Sequence, residues 1–401
     1  MANANRNYGS LILLVLAGEA VFFLPFVIPR IFRPSILSVY EISNTELGTY
    51  FSAYGIVAMI SYIIGGPLAD KFQPKNLLSL GLVLTALGGF ALIIFPSIYG
   101  IGLYAYWGCS TILVFWAALI KSTRLWGGAH LQGKAFGFLE GGRGLLAALM
   151  GTLGVAVFAN QMETTDNTDS FQMVLLVTSS VTFLAGVVVF FGLPKMEKSL
   201  ENQSTIDWSQ LLKNKKLWLQ SIIVVCAYVG YKITDDFSLF ASDVLSFDEV
   251  QSSWVGTGAI WLRPVFAITA GLMADRFSGG KIITAAFLIS IVGGILLSLG
   301  ISSIGVILPL VNLVVIAAGI YGLRGVYFAI MDSAKIGVAT TGTAVGIISI
   351  VGYTPDVFMS PLMGYLLDNF EGELGHRLVF AVLSGFSFIG MIAAWRFSKT
   401  N

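Results

Sequence analysis

Ten ionisable residues sit inside stretches of otherwise apolar sequence: Glu19, Arg30, Glu140, Arg143, Lys232, Asp235, Asp236, Arg263, Arg324 and Asp356. A charge at the centre of an apolar helix surrounded by hydrocarbon costs at least ~2.5–3.5 kcal/mol, so each needs a partner or a task. Three kinds of chemistry answer that cost: neutralisation by an opposite charge, uptake and release of a proton, and recognition of a charged solute. Glu140 and Arg143 are three apart on one helix face and can neutralise each other, as can Lys232 and Asp235. Arg263 and Asp356 can pair between helices. Glu19 has no basic residue within a helical turn, and its neighbours Gly18, Ala20 and Val21 offer no charge. It is therefore the first choice for a proton carrier, with Asp236 or Asp356 next.

No nucleophile–base constellation is visible, which argues against an enzyme. Gly133, Gly137 and Gly141 recur every fourth residue, and Gly342 and Gly346 repeat that spacing. Small residues so placed let helices pack closely, and no strand precedes them to make a phosphate loop. His130 and His376 fall in expected loops, far apart, so no metal and no cofactor is expected. Cys109 and Cys226 lie within apolar runs and read as small core residues.

The elements that must position these groups follow from composition. Of 401 residues 56% are hydrophobic and only 11% charged, with mean hydropathy +0.83. Soluble chains carry about 25% charged residues. The shortfall leaves too little polar surface to coat a water-soluble particle, so the surrounding partner is a lipid bilayer. A net charge of +1 points to no nucleic-acid partner. The first apolar run contains Glu19 and lacks a small-residue cleavage site after a short core, so it reads as a retained helix.

An apolar helix needs about 20 residues to cross the ~30 Å hydrocarbon layer. Such runs occur near 10–30, 47–68, 77–96, 98–120, 136–160 and 171–193, then near 216–240, 253–274, 281–301, 304–331, 340–367 and 375–397. They lack the period-two alternation of a barrel. The expectation is an all-α membrane protein of twelve transmembrane helices. The first half spans 1–193, a polar linker 194–215 follows, and the second half spans 216–401. The stretch "IDWSQLL" suggests a short amphipathic helix in the linker. With the N-terminus inside, 16 of the 23 basic residues fall on the cytoplasmic side, and only Arg33 and Arg377 fall outside. Basic residues concentrate on the cytoplasmic side of membrane proteins, so both termini are placed there.

Two charged turns interrupt the apolar sequence in register. Gly66-Pro-Leu-Ala-Asp70-Lys71 and Gly271-Leu-Met-Ala-Asp275-Arg276 each follow the second helix of a half, with the aspartates 205 residues apart. With the six-plus-six topology, G-x-x-x-D-[RK] after helices two and eight resembles the major facilitator superfamily of transporters across essentially the whole chain. The first copy departs from the family pattern, having Gln73-Pro74 where the family usually has glycine. The resemblance implies the major facilitator fold, a monomer, and alternating access. It also implies a cytoplasmic gate built from Gly66, Asp70, Lys71, Lys75, Arg124, Gly271, Asp275, Arg276, Lys281 and Lys335, with Arg124 the natural partner of Asp70 and Lys335 that of Asp275. In that family helices one, four, seven and ten line the path, which implies pathway positions for Glu19, Lys232, Asp236 and Arg324. Glu140, Arg143, Arg263 and Asp356 come alongside.

Residues 18–32 ("GEAVFFLPFVIPRIF") and 217–244 resemble the organophosphate:phosphate antiporter branch, which holds phosphate between arginines of helices one and seven. Phe26 and Tyr231 stand at those places here, with Arg30 and Lys232 nearby. "RGVYFAIMDSAKIG" and "GTAVGIISIVGYTPDVFMSPLMGYLLD" look closer to a sulfoquinovose-transporter-like sub-branch. The resemblance implies a secondary transporter of a small organic anion, such as a sugar acid or sulfonate, held by Arg263, Arg324 or Arg30 and coupled to a proton. It would sit in the inner membrane of a bacterium. A proton-coupled exporter of drugs or lipids, and a non-transporting membrane sensor, remain alternatives.

Overall fold

The described part of each of the twelve apolar runs is mainly helical in the computed structural model of the chain, which describes residues 8–127, 132–195, 212–328, 330 and 341–399. No strand occurs among the described residues. Every backbone N–H and C=O in hydrocarbon must be satisfied within the protein, and a helix does so within one segment. Nine of the described helices are long and apolar enough to cross a membrane, and a tenth if the bent first pair counts as one span. The second span is the helix Asn44–Lys71, and the eleventh is divided into Thr341–Gly352 and Pro355–Asn369.

Local chemistry fixes where these helices begin and break. Ser43 and Glu46 form a reciprocal capping box at the start of Asn44–Lys71. Asp166 caps Asn167–Gly192, and Asn214 caps Lys215–Ile233. The first span bends by 44° between Tyr8–Ala20 and Phe23–Ile31, where a π-helical segment Phe23–Val27 contains Pro25. The seventh span, Lys215–Asp243, tightens into a 3₁₀ turn at Thr234–Asp236, which carries two acids inside the span.

The chain forms two compact units, one of Met1–Lys198 with Asp248–Trp261 and the other of Ser199–Phe247 with Leu262–Asn401. In the first, Leu14, Ala17, Val21 and Leu24 recur at helical spacing on the first span and pack with Leu82, Leu119, Leu139 and Val174. Glu249 belongs to this unit and accepts hydrogen bonds from Ser35 (2.9 Å) and Asn167 (2.9 Å). In the second, Val224, Ala227, Ile283, Phe287, Leu323 and Ala394 share a core. Ile56, Ile60 and Ile64 form an exposed apolar stripe at four-residue spacing, as a lipid-facing helix side requires.

The two repeated turns close differently. In the first, Pro74 opens the third span, its fixed φ suited to the first helical position, after an extended Gln73. In the second, Ser278 takes a φ of +92° ahead of Gly279. A proline in one copy thus does the work of an unusual backbone conformation in the other. Lys121 of the fourth span donates to the carbonyl of Ala69 (3.1 Å), tying the last turn of the second span to its neighbour. Arg33, expected in an outer loop, is instead buried and donates twice to Oδ1 of Asn44. Short helices fold that stretch back over the core.

Candidate functional site

In the first unit Glu19 and Arg143 are both buried, and Arg143 Nε lies 3.0 Å from Glu19 Oε2. Its Nη1 lies 2.6 Å from Oε1 of Glu140, whose side chain is half exposed. The guanidinium also stands 5.3 Å from the ring centre of Phe22 and 5.5 Å from that of Trp116. The expectation that nothing answers the charge of Glu19 is therefore corrected: the cation arrives from the fifth span, out of reach of a local reading. Gly18 makes the approach possible, since a Cβ there would stand 3.3 Å from Arg143 Cδ and 3.1 Å from Leu119 Cδ2. Arg30 is buried on the short helix Ile28–Ile31. Phe26, where the antiporter branch has an arginine, packs on Phe51 and Tyr54 with ring centres 5.7 and 4.6 Å away.

The second unit carries a denser arrangement. Lys232 is 1% exposed, with Nζ 3.2 Å from Asp235 and 3.7 Å from Asp356. The Tyr228 hydroxyl is 3.1 Å from both carboxylate oxygens of Asp356 and donates its one proton to that pair. Asp356 thus meets Lys232 and Tyr228 of the seventh span. Arg263 is buried in the helix Glu249–Phe277, next to Pro264. Arg324, on Ile307–Val326, lies over the ring of Tyr231 at 3.9 Å and stands 5.8 Å from that of Tyr228. A cation from the tenth span thereby faces Tyr231, the position at which the antiporter branch carries its own arginine.

His376 corrects another expectation. It lies in the first turn of the helix Glu373–Lys399, is 1% exposed, and places Nδ1 2.9 Å from Asp236 and Nε2 3.3 Å from Asp243. Burial and the two carboxylates make it a polar centre that its sequence neighbours do not reveal. A histidine following "EGELG" reads as loop, and the signal that could have found it was the helix start at Glu373.

The gate residues are only partly within view. Lys335 and the side chains of Asp70, Arg124 and Asp275 lie outside the described residues, so neither expected pair is described. Lys71, Arg276 and Lys281 are exposed, and Gly66 and Gly271 would each accept a Cβ in open space. Lys75 sits 5.0 Å over the ring of Phe190 on the sixth span. Of the glycine stripe, Gly137 and Gly141 also face open space, and Gly142 is the residue packed against Val15 of the first span. The stripe is thus rotated from the face that the spacing suggested. The side chains at 341–346, with the Gly342 and Gly346 positions, lie outside the described residues, as does His130.

Comparison with known proteins decides the family. The Major Facilitator Superfamily profile matches residues 11–239. The chain belongs to the Major Facilitator Superfamily. It is 27% identical over 395 residues to inner membrane protein YihN of Escherichia coli K12, covering 95% of this chain and 93% of that one. It is 25% identical over 385 residues to a glycerol-3-phosphate transporter of Bacillus subtilis, covering 83% and 80%. The fold matches that of a bacterial homologue of the human lysosomal transporter Spinster, with TM-score 0.73 and 13% identity over 100% of this chain and 98% of the other. This superfamily member is thus a multi-pass integral membrane protein and a transporter, not an enzyme.

Proposed function

We propose that this transporter carries a small organic anion of the sugar-acid or sulfonate type across a bacterial inner membrane, by alternating access and together with a proton. The observation that carries the reading is Arg324 lying 3.9 Å over the ring of Tyr231 within the second unit. A guanidinium held over an aromatic ring can still offer its planar fork to a carboxylate, sulfonate or phosphate. Lys232 is already answered by Asp235 and Asp356, which makes it a framework cation beside that arginine. The Bacillus relative, named for glycerol 3-phosphate, is consistent with an anionic solute. The working unit is a monomer of halves 1–193 and 216–401 with the linker 194–215. The repeated turns around Asp70 and Asp275 control its cytoplasmic side.

The test is uptake by purified protein in liposomes with an imposed pH gradient, across a panel of sugar acids, alkyl sulfonates, glycerol 3-phosphate and lipophilic cations. An anion should accumulate, and Arg324→Ala should abolish it. Accumulation of lipophilic cations alone would favour an exporter of drugs or lipids. Binding without accumulation would mark a sensor.

A further inference from the structure

The ring of His376 lies between two carboxylates supplied by the last turns of the seventh span. Nδ1 is 2.9 Å from Oδ2 of Asp236, and Nε2 is 3.3 Å from Oδ2 of Asp243. The two acids differ in surroundings. Asp236 is fully buried and its Oδ1 has no hydrogen-bond partner, whereas Asp243 is exposed. Phe240 closes one side of the imidazole, with ring centres 5.6 Å apart.

The other charged groups near this end are engaged with different partners. On the histidine's own helix, Glu373 accepts from the hydroxyl of Ser302, and Arg377 donates to the carbonyl of Ser298 (2.8 Å). On the seventh span Asp235 holds Lys232, which also faces Asp356 of the eleventh. Asp368 lies near the end of the helix Pro355–Asn369, five residues before Glu373, where the twelfth span begins. On the ninth span, Gly279–Ser298, the charged residue is Lys281, at the opposite end of that helix.

A neutral imidazole offers one N–H and one lone pair. Set between two ionised carboxylates it satisfies one and opposes its lone pair to the other. Both contacts are favourable only when the trio holds one more proton, either on the ring or on one of the acids. The arrangement also has a direction, from an exposed acid through a ring with two working nitrogens to a buried acid.

We propose that Asp243, His376 and Asp236 form a proton-binding relay, with Asp243 as its mouth and Asp236 as its inner terminus. In the transfer step a protonated Asp243 gives its proton to Nε2 while Nδ1–H passes to Asp236. One proton crosses, Asp243 is left ionised, and the ring remains neutral with its hydrogen on the other nitrogen. The inner terminus adjoins Asp235, so a proton there alters the charge beside the Lys232–Asp356 cluster and within the 3₁₀ turn of the span. The relay rests on the proton-coupled reading above and supplies its entry site.

The chain contains two histidines, so His130→Gln leaves a single imidazole for nitrogen-15 NMR of histidine-labelled protein in lipid nanodiscs. At pH 7 both ring nitrogens should show shared or full protonation. Asp243→Asn, a near-isosteric change at an exposed side chain, should restore the signal of an unprotonated nitrogen. A ring with one free lone pair at pH 7 in the parent, or spectra indifferent to Asp243→Asn, would overturn the relay and leave proton coupling to another group. Pyranine-loaded liposomes with glycerol 3-phosphate as probe anion test the coupling separately. Absence of proton movement there, with the NMR result as expected, would sink the coupling reading while the proton site stands.

Discussion

Arg143 crosses from the fifth span to the first and sets its Nε 3.0 Å from Glu19, while Glu140 on its own helix holds Nη1 at 2.6 Å. The cation is shared between a buried and a half-exposed carboxylate, so the two substitutions that break the pair differ. Arg143→Leu leaves Glu19 buried without its cation and should cost about 3–5 kcal/mol. Glu19→Gln leaves Arg143 with Glu140 and should cost less. Thermal unfolding in detergent ranks them, and the reverse order would refute the assignment.

Tyr231 presents its ring to Arg324 at 3.9 Å. Tyr231→Phe keeps the ring and should keep this contact. Tyr231→Leu should weaken anion affinity by the ~0.5–2 kcal/mol of a cation–ring contact, about two- to thirty-fold. Arg324→Lys should not substitute, because a point charge lacks the planar fork. Concentration dependence of uptake in liposomes measures all three, and a Leu variant with parental affinity would remove the ring from the site.

Removing Lys232 sets Asp235 and Asp356 against each other in a buried location. Lys232→Ala should cost about 3–5 kcal/mol, and adding Asp356→Asn should recover part of it. Additive losses in a double-mutant cycle of unfolding would mean that the two side chains do not interact.

Sidedness rests on the basic residues. In a background lacking Cys109 and Cys226, cysteines placed at 161–170 should react with an impermeant maleimide from outside intact cells. Those at 194–215 should react only after permeabilisation. The opposite pattern reverses every statement of inside and outside.

The repeated turn gives a kinetic prediction. Asp70→Asn should slow turnover with little change in equilibrium substrate affinity if the turn serves as the proposed gate, which acts on closure and not on the solute. Unchanged turnover would make Asp70 a simple anchor.

The sequence by itself determined the solvent, the helices and the duplication. An 11% charged chain must lie in lipid, each apolar run of about 20 residues must be helical there, and two G-x-x-x-D-[RK] turns 205 residues apart mark the repeat. It also made two ion pairs legible, Glu140–Arg143 and Lys232–Asp235, because residues three apart on a helix share a face wherever that helix packs. Tertiary structure decided the rest. Glu19 meets Arg143 across 124 residues of chain, Tyr228 meets Asp356 across 128, and Asp236 meets His376 across 140. In lipid, apolar residues surround a helix on all sides, so hydropathy does not say which face turns inward. That rotation is set by close packing, as Gly18 beside Arg143 and Gly142 against Val15 show, and it chooses which charges meet.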